Sequence, residues 1–92
     1  MYIILVYDIK MDKEGNKILR NVFKICKKYL VHIQDSTFEG ELSDAQLLKL
    51  KNELKFYLRN DADSCIVFKS RSEKWLDKDF WGKKENKVTK FL

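Results

Sequence analysis

Tyr2-Ile3-Ile4-Leu5-Val6-Tyr7-Asp8 is a run of six apolar residues closed by a carboxylate. Without apolar–polar alternation, a run of this length predicts a strand buried on both faces. Asp8 falls where that strand gives way to a turn. The chain has 92 residues, enough for one domain with one core. Two helices would cover one face of its sheet, and the doubly apolar strand asks for cover on the other. A second copy meeting the first through its sheet would supply that cover. Two-fold symmetry would then bring Asp8 towards its own mate, and paired carboxylates suit a hard divalent cation.

Downstream, Asp8 to Asn16 is a polar connection containing Gly15, in which Asp12 or Asn16 could cap a helix. Ile18, Leu19, Val22, Phe23, Cys26, Tyr29 and Leu30 then recur at helical spacing. Val31–Gln34 and Thr37–Glu39 alternate as half-buried strands do, and Gln34-Asp35-Ser36 between them fits either a tight hairpin or one bent strand. Ser43 and Gln46 have the spacing of a capping box. The helix they open carries an apolar stripe of Leu47, Leu50, Leu54, Tyr57 and Leu58, widened by Leu48 and Phe56. After a turn at Arg59–Asp63, Ser64–Phe68 supplies the last core strand.

Strand, helix, strand, strand, helix, strand is the order of an α+β ferredoxin-like βαββαβ sandwich. It accounts for residues 1–70. Residues 71–92 change texture, with Trp75, Phe80, Trp81, Val88, Phe91 and Leu92 scattered among lysines. This aromatic content argues against a disordered tail. It predicts a C-terminal arm with a short strand, for exchange within a dimer or for docking another protein; the alternative is packing on the chain's own sheet.

Lys and Arg number 19 against 14 Asp and Glu, for a net charge of +5. Such a balance suits a polyanionic partner without requiring one. Residues 1–46 carry seven basic and seven acidic side chains. Even so, Lys17, Arg20, Lys24, Lys27 and Lys28 follow one another on the first helix with no acidic residue among them. That face is a candidate nucleic-acid surface for backbone contacts, and no base-reading motif accompanies it. Cys26 and Cys65 sit in apolar patterns and read as core residues of a reduced, cytoplasmic protein with no leader segment. The longest apolar run is too short to span a bilayer, so no membrane role is expected.

By itself Asp8 reads as a turn or cap residue, and His32 as a sheet residue in preference to a general acid. Gln34-Asp35-Ser36-Thr37-Phe38-Glu39-Gly40 adds more. Together with Tyr7-Asp8-Ile9 and Ser43-Asp44-Ala45-Gln46-Leu47, it resembles the Q-x-S-x-F-E-G signature of the CRISPR-associated Cas-two family, in the same order along nearly the whole chain. The resemblance implies a homodimer joined through its sheets, whose final strand swaps onto the mate and docks a Cas integrase subunit. It also implies a Mg2+- or Mn2+-dependent endonuclease acting on single-stranded RNA or on DNA, or a scaffold holding duplex DNA during spacer acquisition.

Carried over residue by residue, the metal ligand is Asp8, and the remaining catalytic residues are Tyr7, Ser36 and Phe38. The chain departs from the family at Thr37, where many members are hydrophobic, and at Lys17, Arg20 and His32, near positions where many have Arg. A lysine attracts phosphate as a point charge but lacks the bidentate fork of Arg. A stand-alone toxin-type endoribonuclease of the same fold is the alternative function.

Overall fold

The elements β1 (Tyr2–Asp8), α1 (Gly15–Tyr29), β2 (Val31–Gln34), β3 (Thr37–Glu41), α2 (Asp44–Tyr57) and β4 (Ser64–Ser70) follow one another along the chain. They are seen in a computed structural model in which residues 1–82 are described. The sheet order is β2-β3-β1-β4, with every neighbouring pair antiparallel. This is the expected α+β ferredoxin-like sandwich, with both helices on one face. None of the described helices is long and apolar enough to cross a membrane.

β1 pairs with β3 on one side and β4 on the other. Its odd residues, Ile3, Leu5 and Tyr7, are buried in the core with Val22, Cys26, Phe38, Leu50 and Leu54. Its even residues face away from the helices. There Ile4 and Val6 are half-buried, opposite Phe68 and Ile66 of β4. Phe68 is 57% exposed and Ile66 is 54% exposed. The apolar run therefore has two apolar faces, and the helices cover one.

The β2–β3 half of the open face has a cover of its own. After β4, a 3-10 turn (Glu73–Trp75) leads the chain back across the sheet. Leu76 lies beside Phe68, and residues 78–82 line a cavity of about 490 Å³ with Ile4, Ile33, Thr37 and Glu39. Glu39 is only 2% exposed. It accepts hydrogen bonds from the Tyr2 hydroxyl and the Lys78 ammonium. Burial, reinforced by the carboxylates of Glu39 and Glu73, pushes the Tyr2 phenol well above its usual range. Within 71–82 the arm forms no strand and rests on its own sheet; its remainder, 83–92, lies outside the described residues.

Helix α2 opens with the predicted capping box: Ser43 Oγ accepts from the Gln46 N–H at 3.2 Å, and Gln46 Oε1 accepts from the Ser43 N–H at 2.9 Å. Leu50 and Leu54 are buried on its stripe. Leu48 and Phe56 do not widen that stripe: they project from the far side of the helix, and Phe56 is 80% exposed. On α1, Ile25 joins the buried set. The break at Gln34-Asp35-Ser36 is a hairpin turn, with Asp35 at a φ of 38°. An aspartate tolerates this left-handed backbone better than a branched residue would.

Neither Asp12 nor Asn16 caps α1, because the helix begins at Gly15 with Glu14 at the cap and no side-chain bond. A Cβ on Gly15 would lie 2.4 Å from the Lys10 carbonyl oxygen, so only glycine permits this tight return of the loop. Asp12 instead accepts from the Glu14 N–H at 3.1 Å and from Arg59 Nη1 at 2.8 Å on each oxygen. Arg59 also donates to both Asp63 oxygens, Nε and Nη2 each at 2.9 Å, and to the Lys10 carbonyl at 2.9 Å. Asp63 in turn accepts from the Lys10 and Arg59 N–H groups, both at 3.0 Å. This network joins the loop leaving β1 to the loop entering β4.

The Arg59 guanidinium and these N–H donors hold the Asp63 carboxyl down to about 2. In the unfolded chain it titrates near 3.9. Its stabilising contribution is therefore complete above about pH 4 and is lost as the pH falls towards 2. Urea midpoints measured from pH 6 to pH 2 should show Asp63→Asn less stable than the parent at pH 6, with the gap narrowing below pH 4. A constant gap would mean that the clamp does not set this titration.

Candidate active site and nucleic-acid surface

Asp8 ends β1 opposite Ser64, and its side chain is exposed. Strand alternation places it on the open face in line with Ile4 and Val6. An exposed carboxylate has the donor chemistry that Mg2+ or Mn2+ prefers. No group of three His, Cys, Asp or Glu side chains suited to a metal occurs among the described residues. The carboxylates of the adjacent loops, Asp12 and Asp63, are engaged by Arg59. Asp8 is thus a carboxylate at the end of β1 that Arg59 leaves unengaged, and it would fit a metal together with further ligands such as a second copy's own Asp8.

The same alternation puts Tyr7 on the helix side of the sheet, away from Asp8. Tyr7 is buried, with its ring stacked on Phe38 at 6.1 Å between centroids. Burial pushes its phenol up to about 12, and a hydrogen bond with Ser36 opposes that shift. The Ser36 carbonyl accepts from the Tyr7 N–H at 3.1 Å. Phe38 is 0% exposed, with Phe23 edge-on at 5.5 Å and His32 at 4.8 Å. It reaches no solvent. Placed in the site by the family resemblance, Phe38 packs against Tyr7, Phe23 and His32 in the core.

His32 is a buried sheet residue. Its Nε2 lies 2.7 Å from the Asp35 carbonyl and so carries the proton, while Nδ1 has no partner among the described residues. The Cys26 thiol is pushed up to about 12 by burial, and burial raises the Cys65 thiol as well. Both are core thiols rather than nucleophiles.

Tyr7 and Ser36 meet residues that sequence reasoning assigned to a different task. A cavity of about 490 Å³ opens between the first half of α1 and the β2–β3 turn. Tyr7, Leu19 and Phe23 form its floor, Arg20 and Lys24 stand at its helical rim, and Asp35 and Ser36 close the far side. The helical spacing of Leu19 and Phe23 marks them as core and gives no sign that they also line a cavity. Their sequence positions beside Arg20 and Lys24 were the available signal. Asp8 is not among the lining residues.

Lys17, Arg20, Lys24, Lys27 and Lys28 are all exposed on α1. Lys28 differs from the rest because it pairs with Glu53 of α2, which also accepts from the Tyr29 hydroxyl. The other four have no acidic partner among the described residues. They form the free positive ridge, one cation fewer than the sequence indicates.

A protein-family model described as CRISPR associated protein Cas2 matches residues 1–78. A protein of Fusobacterium nucleatum named CRISPR-associated endoribonuclease Cas2 is 50% identical over 92 residues, spanning all of this chain and 87% of the relative. One of the same name from Dictyoglomus turgidum is 34% identical over the full length of both chains. Among solved structures, one described as a crystal structure of cas2 superposes with a TM-score of 0.80 and 35% identity, covering 94% of this chain and 91% of the other. Streptococcus pyogenes Cas2 has the same fold, with a TM-score of 0.73, 24% identity, and coverage of 87% of this chain and all of the other.

If Phe38 is a packing residue, Phe38→Ala should lower unfolding stability by about 3–5 kcal/mol in urea titrations. Phe38→Leu should keep much of the stability. A Phe38→Ala protein of unchanged stability would return this side chain to the chemistry.

Proposed function

The chain belongs to the CRISPR-associated Cas2 family, and on that premise we propose that it is a homodimeric endoribonuclease whose active site forms where two copies of Asp8 meet. One observation carries the reading. Asp8 shares the open face of the sheet with Ile66 and Phe68, which remain more than half exposed. Burying that half against a second copy removes the exposed apolar surface and brings two carboxylates to one axis. Fully burying a side chain such as Phe68 contributes about 1.5–3 kcal/mol, so a symmetric interface gains from several at once. The endoribonuclease names of the relatives at 50% and 34% identity supply the reaction class.

The paired Asp8 side chains would hold Mg2+ or Mn2+ through their oxygens. Bound there, the ion would polarise a phosphodiester oxygen and lower the pKa of an attacking water. Lys17, Arg20, Lys24 and Lys27 draw the backbone of RNA, or of a DNA fragment handled during spacer acquisition, to the ridge without reading its sequence. Residues 75–92, with Trp75 and Trp81 exposed, serve as the docking arm for a Cas integrase subunit.

Asp8→Asn should abolish cleavage of single-stranded RNA in Mg2+ to the level seen with EDTA, while leaving RNA binding within about twofold. Equal cleavage by both proteins, or cleavage that survives EDTA, would overturn the metal site. In light scattering, Phe68→Glu should shift the protein from dimer to monomer and remove cleavage with it; a Phe68→Glu dimer of full activity would rule out this interface. Plotted as log affinity against log salt, Arg20→Ala and Lys24→Ala should each reduce the slope by about one, and Lys28→Ala by less because Glu53 already neutralises it.

A further inference from the structure

The cavity between α1 and the β2–β3 turn is separate from the Asp8 face, and the reading above uses Arg20 and Lys24 of its lining but not the cavity itself. We propose that it receives a single unstacked nucleobase of a single-stranded nucleic acid, with the flanking phosphates held by Arg20 and Lys24 at its rim. The inference rests on the chain's being a nucleic-acid-binding protein and adds which form of nucleic acid it selects.

Shape and lining point to a flat, largely apolar ligand. At about 490 Å³ the cavity falls within the range of about 300–1,000 Å³ usual for small-molecule sites. Half-buried Phe23 and Leu19 line it beside the buried Tyr7, and an aromatic surface such as that of Phe23 accepts any base through its π-face. Packing against Phe38 and His32 fixes the Phe23 ring, so the floor is formed before any ligand arrives.

Charge determines which part of a nucleotide enters. Arg20 and Lys24 are exposed and free of acidic partners among the described residues. Standing four residues apart, they are separated by about 6 Å along the helix axis, a spacing that suits consecutive phosphates of one strand. On the side facing the helix, exposed Asp35 adds a carboxylate, which disfavours a phosphate there and favours a neutral ring with N–H groups to donate. The phosphates therefore stay at the rim and the base occupies the interior. A duplex, its bases stacked and paired, can use only the rim.

The test compares a short single strand with a duplex of the same sequence, each carrying a fluorescent adenine analogue whose emission rises on unstacking. With the full-length protein, emission should rise on binding the single strand and stay flat on binding the duplex. Leu19→Trp, which fills the cavity from a half-buried helix position, should weaken single-strand binding by about tenfold, the equivalent of one lost stacking contact. It should leave duplex binding within about twofold, and that retained binding shows the variant is folded. Where Leu19→Trp does not fold cooperatively, Leu19→Phe makes the same comparison. Emission that stays flat with both ligands, or a folded variant that binds both as the parent does, would overturn the inference and leave the proposed function standing. Parent protein that binds neither ligand would overturn both.

Discussion

β1 has apolar side chains on both faces, yet the fold provides helices for only one. The odd residues Ile3, Leu5 and Tyr7 enter the core, and the even residues Ile4 and Val6 become the centre of a face that a single chain leaves half uncovered. The burial of the core, the exposure of Ile66 and Phe68 and the placement of Asp8 all follow from this central strand's pairing with both β3 and β4. A polar residue at Ile4 or Val6 would suit the isolated chain better. Apolar residues there make sense for a surface buried in an assembly.

The open face is divided in two. Over β2 and β3 the returning chain lies against the sheet, anchored by Lys78 on the buried Glu39. Over β1 and β4, Ile66 and Phe68 stay 54% and 57% exposed, with Leu76 beside Phe68. Removing Lys78 would leave the buried Glu39 carboxylate with only the neutral Tyr2 hydroxyl to offset its charge, which is far more costly than losing an exposed ion pair. Glu39 thus makes the position of residues 76–82 specific, where apolar contact alone would leave it free to slide.

At the end of β1 the demand is for a fixed backbone. Gly15 lets the loop pass within contact distance of the helix start, and Arg59 gathers Asp12, Asp63 and the Lys10 carbonyl into one network. Five donors in a rigid plane suit this task in a way that a lysine would not. Asp8 is left without a share in that network, its carboxylate exposed at the end of a strand held on both sides.

Features set by local physics were legible in the residues themselves. The unalternating run of β1, the helical spacing on α1, the Ser43–Gln46 box and the order of elements depend on neighbours a few positions away, so periodicity and capping chemistry reveal them. The ordered signature from Tyr7 through Leu47 pointed to the family by the same local means. Tertiary structure alone decided which side chains meet. Phe38 is sealed in while Phe56 stands in solvent, because helical and strand periods mark apolar residues without saying which face is met by another element. Lys28 is neutralised by Glu53, 25 positions away, and Asp12 is held by Arg59, 47 positions away. Tyr7 and Asp8 are adjacent in sequence and lie on opposite faces of the sheet, so only the fold could place one in the lining of the α1 cavity and the other on the open face. Contacts between distant segments are fixed by how the elements pack, and that packing lies beyond the reach of any local pattern.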